Sequence, residues 1–277
     1  MKHKKTFPRR KGPPPARRPL RSAPAGPTEW DQAARWYSTV VGDQGSDYQR
    51  SLIFPGAFRM LAVKKGDRVL DLACGPGAFS RYMSKKGMRV EGLDASEQLL
   101  SYAAARSPAS IRFHHADARE PGSFGDAVFD AIACLMALQN MEDIQPVMKN
   151  AAAWLKPGGR LVLVVTHPCF RIPRQTHWGW DEEKKMEYRR VDRYASEMVI
   201  PILTPPFARS KVFTSTYHRP LESYFKALVE AGLGVDGLEE WVSKKESAPG
   251  KRSRGENRAR REIPLFLALR ARPLSRR

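Results

Sequence analysis

The sequence has few cysteines, no long apolar segment and too few acidic residues to balance its basic ones. Its three cysteines, Cys74, Cys134 and Cys169, are too few for a disulfide framework and form no CxxC pair for zinc. No run of about 18 apolar residues is present, so no transmembrane helix is expected. The basic N-terminus lacks the apolar core of a secretory signal. These absences favour a cytoplasmic protein stabilised by packing.

The excess of basic residues is confined to a few segments. The 277 residues include 48 Lys and Arg against 29 Asp and Glu, which gives a formal net charge of +19. Residues 1–28 hold nine Lys or Arg, seven prolines and no acidic residue, and are expected to be a disordered tail. Residues 243–261 are expected to form a basic loop, and 272–277 a second basic tail. Such segments can bind polyanions through counterion release, or can serve only as solubilising tails.

Between these segments, apolar runs alternate with helical patterns. Strands are predicted at residues 67–73, 89–94, 110–117, 128–137, 160–167, 234–242 and 262–271. Helices are predicted within residues 29–62 and at 78–87, 96–107, 143–155 and 219–233. Val, Leu and Ile runs separated by helices are typical of parallel strands buried on both faces, in an open doubly wound α/β sheet. A single domain is predicted over residues 29–271.

Residues 168–219 interrupt this alternation. The segment is rich in Pro, Trp, Tyr and charged residues, and we expect it to form an insert that covers a substrate. Trp178, Trp180, Tyr188 and Tyr194 offer flat apolar surface for an aromatic acceptor or for a nucleic-acid base. The same side chains could equally serve only to pack the insert.

The most informative stretch is VLDLACGPGAFS, residues 69–80. Gly75 and Gly77 allow a sharp turn between a strand and a helix, and they let a ligand approach the backbone closely. A third glycine, as in the dinucleotide motif GxGxxG, is absent, because that position is Ser80. A nucleotide-binding oxidoreductase is therefore the less favoured interpretation, although it stays open.

With the segments VEGLDAS, FHHADARE, FDAIACLMALQNMED and LKPGGRLVLVVTHP that follow it in order, this loop resembles the class I S-adenosylmethionine (SAM) methyltransferases. The resemblance covers residues 65–170 and is strongest to the generic small-molecule branch (methyltransferase type 11) that includes quinone-biosynthesis enzymes. It implies a Rossmann-like sheet of seven strands with the last strand antiparallel. It also implies an α-helical N-terminal lid and SAM as the co-substrate, with no metal.

The resemblance assigns roles to individual residues of a SAM site. Asp71 would orient the glycine loop and the methionine amino group, while Asp94 would accept hydrogen bonds from both ribose hydroxyls. The other expected contacts are Gly75 and Gly77 beneath the methionine and ribose, Asp117 and the Ala118 backbone at the adenine edge, Leu135 and Met136 beside the methionine, and Tyr37 over SAM.

Transfer to oxygen or carbon also needs a group that removes a proton from the acceptor. His167 follows the fifth strand and is a candidate base with a pKa suited to neutral pH, although it could instead hydrogen-bond a loop backbone. For His218, which precedes the last predicted helix, the resemblance implies a catalytic contact with the acceptor. The segment ALQN after the fourth strand lacks the prolines and aromatic residue that amino-group methyltransferases carry there, which disfavours N-methylation.

The sequence thus predicts a cytoplasmic, SAM-dependent methyltransferase that acts on an oxygen or carbon atom of a small-molecule acceptor. One alternative is an RNA methyltransferase that uses the basic tails to hold its substrate. The other is a module that binds SAM or RNA without catalysis.

Overall fold

The computed structural model describes residues 28–204 and 212–274. Its strands are β1 (Arg68–Leu72), β2 (Arg89–Asp94), β3 (Arg112–His115), β4 (Phe129–Leu135), β5 (Leu155–Thr166), β6 (Thr176–Asp181), β7 (Met186–Val191), β8 (Met198–Leu203), β9 (Phe213–His218), β10 (Leu233–Trp241) and β11 (Phe266–Pro273). Its α-helices are α1 (Glu29–Val41), α2 (Phe54–Leu61), α3 (Ala78–Lys85), α4 (Glu97–Arg106), α5 (Gln145–Trp154), α6 (Leu221–Glu230) and α7 (Ser253–Glu262).

Seven strands form one sheet in the order β10-β11-β5-β4-β1-β2-β3. The pairs from β3 to β5 are parallel, whereas β11 runs antiparallel to both β5 and β10. The predicted seven-stranded, Rossmann-like sheet with its last strand antiparallel is therefore confirmed. The chain order reverses on either side of β1, where β2 lies on one side and β4 on the other. In sheets of this type, such a switch point is where ligands bind.

The two faces of the sheet are covered by separate apolar cores. On one face α5 and α6 pack through Trp154, Leu228 and their neighbours. On the other face α2 and α3 pack through Phe54, Met83 and their neighbours. Because both faces are buried, the central strands carry apolar residues continuously rather than alternately. Ser96 accepts a hydrogen bond from the Leu99 N–H at the start of α4, as expected of a helix-capping serine.

The insert after β5 consists of two antiparallel hairpins, β6–β7 and β8–β9. The β8–β9 hairpin contacts α1 through β9. The pattern of apolar residues in the sequence does not predict these strands, because half-exposed hairpin strands lack the continuous apolar runs of the central sheet.

The expectation of a loop over residues 243–261 is wrong in part, because α7 occupies Ser253–Glu262. Its Gly255 packs directly on the Trp180 ring: a Cβ at that position would lie 2.8 Å from the ring carbons. Glycine weakens a helix by local propensity, but here it permits a close tertiary contact. Packing therefore outweighs the local signals that favoured a loop.

The expected tails fall largely outside the described residues. Of residues 1–28 only Thr28 is described, and of 272–277 the first residues belong to β11, at Arg272 and Pro273. Over residues 28–204 and 212–274, every helix is too short or too polar to cross a bilayer.

Candidate functional site

A large cavity opens at the carboxyl ends of the parallel strands, at the switch point beside β1. Its volume is about 1050 Å³. It is lined by the segments that follow β1, β2, β3 and β4, and it is covered by the first turns of α1. Most of the predicted site residues converge on it, namely Tyr37, Asp71, Gly75, Asp94, Asp117, Ala118, Leu135 and Met136.

The glycine loop after β1 has a backbone that only a few residue types adopt easily. Gly75 has φ 53° and Gly77, at the N-terminus of α3, has φ 75°. Arg81 fixes the loop, since its guanidinium donates to the Pro76 carbonyl at 2.8 Å and to the Asp43 carbonyl at 2.9 Å. Gly77 shapes the turn but does not line the cavity. The loop thus presents its backbone, rather than side chains, to the cavity.

Asp94, the last residue of β2, connects the two loops beside it. One carboxylate oxygen accepts the Gly75 N–H at 2.7 Å, and the other accepts the Ser96 N–H at 2.9 Å. The side chain is buried, and burial raises its pKa above the ordinary value. A carboxylate can accept about four hydrogen bonds, so Asp94 retains acceptor capacity toward the cavity.

Asp71 lies one strand away on β1 and is also buried. The Ser80 hydroxyl donates to its carboxylate at 2.6 Å. Burial raises the pKa of Asp71 to about 7, and the neighbouring charge of Asp94 contributes to the increase. The carboxylate is therefore poised to change its protonation near neutral pH, and a cation beside it would favour the charged form.

Asp117 is placed in the cavity wall but already has a partner. The Arg119 guanidinium donates to both of its carboxylate oxygens, to Oδ1 at 3.0 Å and to Oδ2 at 2.6 Å. Burial opposes ionisation of Asp117, but the hydrogen bonds from Arg119 outweigh it and lower the pKa. The Ala118 carbonyl accepts a hydrogen bond from the Asn150 side chain at 2.9 Å. An incoming polar group would share Asp117 with Arg119.

The turn after β4 forms another wall. Met136 adopts the left-handed region at φ 58°, which non-glycine residues rarely do. Its N–H donates to the Val164 carbonyl at 2.7 Å, and its carbonyl accepts the Gln139 side-chain amide at 2.8 Å. These bonds hold Met136 and Leu135 against the cavity. Strained conformations supported in this way occur most often at functional sites.

The helix α1 covers the cavity with two aromatic rings. Tyr37 and Trp30 pack edge to face with their centroids 5.2 Å apart, and both line the cavity. Burial and nearby carboxylates raise the pKa of Tyr37 to about 12, so its phenol stays neutral. The predicted position of Tyr37 in an N-terminal helical cover is what the structure shows.

Two acidic residues that sequence reasoning did not single out hold α1 in place. Asp31 accepts hydrogen bonds from the Ser96 hydroxyl at 2.6 Å and from the Gln98 N–H at 3.1 Å. Glu29 accepts the Ser215 N–H at 2.7 Å. The sequence shows only that both residues lie in the first turn of a helix, where acidic residues are common for local reasons.

The two predicted catalytic histidines do not line the cavity. His167 Nε2 lies 2.7 Å from Glu240 Oε1, and its Nδ1 accepts the Cys169 N–H at 3.2 Å. Burial lowers the pKa of His167, and both ring nitrogens are engaged. His218 Nε2 lies 2.7 Å from the Tyr194 carbonyl. His167 therefore makes the loop-backbone contact that was its alternative to catalysis, and the catalytic role of both histidines stays a prediction without positional support.

The insert aromatics also lie away from the cavity lining. Trp178, Trp180, Tyr188 and Tyr194 are absent from it, and among the described residues of the insert Tyr217 of β9 is the aromatic residue that lines the cavity. The Arg189 guanidinium stacks on Trp178, and that of Arg252 on Trp180. Over the described ranges, no group of three or more His, Cys, Asp or Glu side chains is arranged to hold a metal ion.

Residues 70–163 match a protein family described as a methyltransferase domain. These residues form a methyltransferase domain of the class I SAM-dependent type. The match covers the strands that build the cavity, from β1 to β5, and the resemblance seen in the glycine loop is thereby confirmed. SAM is the co-substrate that this family uses.

Curated relatives are similar to about two fifths of the chain. A demethylmenaquinone methyltransferase of Tropheryma whipplei is 39% identical over 116 residues, which are 40% of this chain and 47% of that protein. A ubiquinone biosynthesis O-methyltransferase of Coxiella burnetii is 38% identical over 110 residues, which are 39% of this chain and 47% of that protein. The chain spans about half the length of the curated relatives it matches.

A solved structure extends the likeness beyond that segment. A SAM-dependent methyltransferase of Mesorhizobium loti is 28% identical, with a TM-score of 0.64 over 79% of this chain and 96% of that one. The methyltransferase fold therefore covers most of the chain, whereas the alignments with these two curated relatives cover about two fifths of it.

Proposed function

We propose that this protein transfers the methyl group of SAM to an oxygen or carbon atom of a small-molecule acceptor. The observation that carries the proposal is the cavity beside β1. The backbone of the glycine loop, the buried carboxylates of Asp71 and Asp94, and the rings of Trp30 and Tyr37 all line this cavity.

The residues present fit SAM. A Cβ at Gly75 would meet only the Tyr37 ring, at 3.7 Å, so the glycine leaves open the space that a ligand needs under the cover. Asp94 retains acceptor capacity for ribose hydroxyls, and a carboxylate at this strand end is how dinucleotide sites also bind ribose. The volume of about 1050 Å³ is at the upper end of ordinary ligand pockets, which leaves room for an acceptor.

Each residue would then have a defined part in binding. Asp94 would hold the ribose, and Asp71 the methionine amino group, whose positive charge would stabilise the ionised carboxylate. The other proposed contacts are Gly75 and Gly77 beneath the ligand, Asp117 and the Ala118 backbone at the adenine edge, Leu135 and Met136 beside the methionine, and Tyr37 above it.

When bound, SAM supplies an activated methyl group, so the protein need only align the acceptor and exclude water. The rigid turn at Met136 and the cover formed by Trp30 and Tyr37 serve that purpose. Because Tyr37 stays neutral, it presents an apolar face and a hydroxyl rather than a charge.

The acceptor class rests on two considerations. The curated relatives are named for methylation of quinone precursors, which are small aromatic molecules. Trp30, Tyr37 and Tyr217 would give the cavity wall flat apolar surface that suits an aromatic acceptor. We also propose that the protein is located in the cytoplasm.

RNA methylation is the second candidate, and the basic segments at residues 1–28 and 243–261 favour it. A module that binds SAM or RNA without catalysis is the third. The three differ in where a transferred methyl group would be found.

The test is incubation of the protein with methyl-labelled SAM and a cell extract, followed by separation of RNA, protein and organic-soluble molecules. Label in the organic-soluble fraction supports the proposal, and label in RNA supports the second candidate. No label in any fraction, from protein that binds SAM, supports the non-catalytic module. At SAM concentrations below the dissociation constant, Asp94→Asn should lower labelling about tenfold or more, whereas Asp126→Asn, an exposed aspartate outside the cavity, should not change it.

A further inference from the structure

The opening of the cavity is surrounded by acidic side chains. Each of them lines the cavity and is also exposed to solvent, so it lies where the cavity meets the surface. They belong to four separate segments, namely the first turn of α1, the first turn of α4, the loop after β3 and the segment between β4 and α5. We call them the acidic rim, which consists of Glu29, Glu97, Glu120 and Glu142.

The charges of the rim are not neutralised by basic neighbours, although the chain as a whole is strongly basic. None of the four carboxylates forms an ion pair in the part of the chain that the structure describes. Glu29 accepts hydrogen bonds from Ser215, which leave its negative charge in place. Among the described residues that line the cavity, Arg119 is the only arginine or lysine, and it is already paired with Asp117 at 2.6 Å. Glu142 acts on Arg119 from a longer distance, since its charge helps to raise the pKa of Arg119.

The interior of the cavity adds two carboxylates that also lack an ion-pair partner among the described residues. Asp71 and Asp94 are only 2% and 9% exposed. The charge of Asp94 helps to raise the pKa of Asp71, and the more distant charge of Arg81 opposes this only in part. Buried carboxylates without a counterion cost free energy, and a bound cation offsets that cost. The interior and the rim therefore favour the same kind of ligand, one with a net positive charge.

SAM and its product differ in this property. SAM carries a sulfonium, an ammonium and a carboxylate, so its net charge is positive. S-adenosylhomocysteine has a thioether in place of the sulfonium and is neutral overall. In the proposed transfer, the methyl–sulfur bond breaks with its electron pair left on sulfur, the methyl group bonds to the acceptor atom, and the acceptor proton passes to water. The ligand thus loses its net charge when the reaction is complete.

We propose that the acidic rim determines the charge selectivity of the cavity, by favouring the cationic co-substrate SAM over the neutral product S-adenosylhomocysteine and so limiting product inhibition. This inference rests on the proposed function, because it concerns the same cavity. The rim carboxylates need not contact the ligand, since at about 10 mM salt charges act over about 30 Å, against about 3 Å at about 1 M. A field of this sign also speeds the approach of a cation from solution.

The test measures the dissociation constants of SAM and S-adenosylhomocysteine by calorimetry with the full-length chain. Selectivity is the dissociation constant of S-adenosylhomocysteine divided by that of SAM. In Glu97→Gln/Glu120→Gln/Glu142→Gln, selectivity should fall about fivefold at about 10 mM salt, because SAM binds more weakly while S-adenosylhomocysteine binds within about twofold of its wild-type affinity. At about 1 M salt the variant and the wild type should agree within about twofold. Glu29 is left unchanged because it also holds α1.

The variant Glu183→Gln/Glu246→Gln/Glu262→Gln is the matched control. It removes the same charge from exposed residues that do not line the cavity, and its selectivity should stay within about twofold of the wild type.

Sinefungin is a further probe, because an amine-bearing carbon replaces the methyl sulfonium and the molecule keeps a net positive charge. In the rim variant its affinity should fall by the same factor as that of SAM. This result would separate the effect of charge from contacts with the methyl sulfonium itself.

Three results would overturn the inference and leave the proposed function standing. The first is unchanged selectivity in a rim variant that binds both ligands. The second is an equal loss of selectivity in the rim and control variants, because binding would then follow net charge alone. The third is an equal loss of affinity for SAM and S-adenosylhomocysteine in the rim variant, which would mean that the rim contacts parts that the two ligands share. If the wild type binds neither ligand, the proposed function itself fails.

Discussion

Asp94 accepts a hydrogen bond from the Gly75 N–H at 2.7 Å, although the two residues are 19 positions apart. This bond joins the end of β2 to the glycine loop after β1, so the carboxylate both shapes the loop and faces the cavity. Because one carboxylate both shapes the glycine loop and faces the cavity, small changes at Asp94 should affect the site strongly.

Asp94→Asn replaces one acceptor oxygen by a donor amide while keeping the size of the side chain. It should weaken SAM affinity about tenfold or more, because hydrogen bonds to a charged acceptor are each worth about 1.5–3 kcal/mol. Calorimetric titration with SAM measures the change, with Asp126→Asn as the exposed control. An unaltered dissociation constant would remove Asp94 from the site.

Asp71 should make stability depend on pH. Its pKa is raised to about 7 in the folded state, so the folded protein binds a proton that the unfolded chain releases at a pH near 4. The stability that Asp71 contributes is therefore fully present below that pH and is lost as the pH rises through 7.

In Asp71→Asn this dependence disappears, and the amide oxygen can still accept the Ser80 hydroxyl. We compare the unfolding free energy of the variant minus that of the wild type at two pH values. This difference should be about 2 kcal/mol larger at pH 8 than at pH 5. Urea denaturation of both proteins at the two pH values tests this. The same difference at both would mean that Asp71 does not titrate in this range.

The contacts of α1 should control access to the cavity. Glu29→Gln combined with Asp31→Asn weakens the bonds to Ser215, Ser96 and Gln98 and should let α1 detach more often. We expect SAM to dissociate about fivefold faster or more, in line with the loss of about 1 kcal/mol of hydrogen bonding. Gln32→Ala, on the exposed side of α1, is the control. Stopped-flow dissociation rates that do not differ between the two variants would exclude a role for α1 as a cover.

His167→Asn should retain methyl transfer within a few-fold. The ring is engaged by Glu240 and by the Cys169 N–H, so it has no nitrogen free to accept a proton from an acceptor. Initial rates with labelled SAM test this. A folded variant that binds SAM but transfers no methyl group would establish His167 as catalytic.

The glycine loop, the position of Asp94 at a strand end and the succession of parallel strands along the chain could be predicted from sequence, because local spacing and apolar runs determine them. The contacts of Asp31 with Ser96 and of Glu29 with Ser215 could not, since they join residues 65 and 186 positions apart. His167 was placed correctly at the edge of the sheet. Its contacts were not predictable, because Glu240 and the Leu265 carbonyl belong to segments far away in the sequence.

The helix α7 was missed for a related reason. A glycine and many charges predict a loop from local propensity, and the stabilising contact of Gly255 with Trp180 forms only when the β6–β7 hairpin is in place. The sequence showed how many basic residues this segment holds, but not that part of it is helical.

Binding of S-adenosylhomocysteine tests the central claim most directly, because it probes the cavity without depending on any acceptor. Saturable one-to-one binding is expected by calorimetry. The melting temperature should also rise, reflecting about 2.7 kcal/mol of added stability at a hundredfold excess over the dissociation constant. At the same ligand concentration, Asp94→Asn should retain about half of this added stability or less. Absence of both heat and thermal stabilisation at millimolar ligand would contradict the claim.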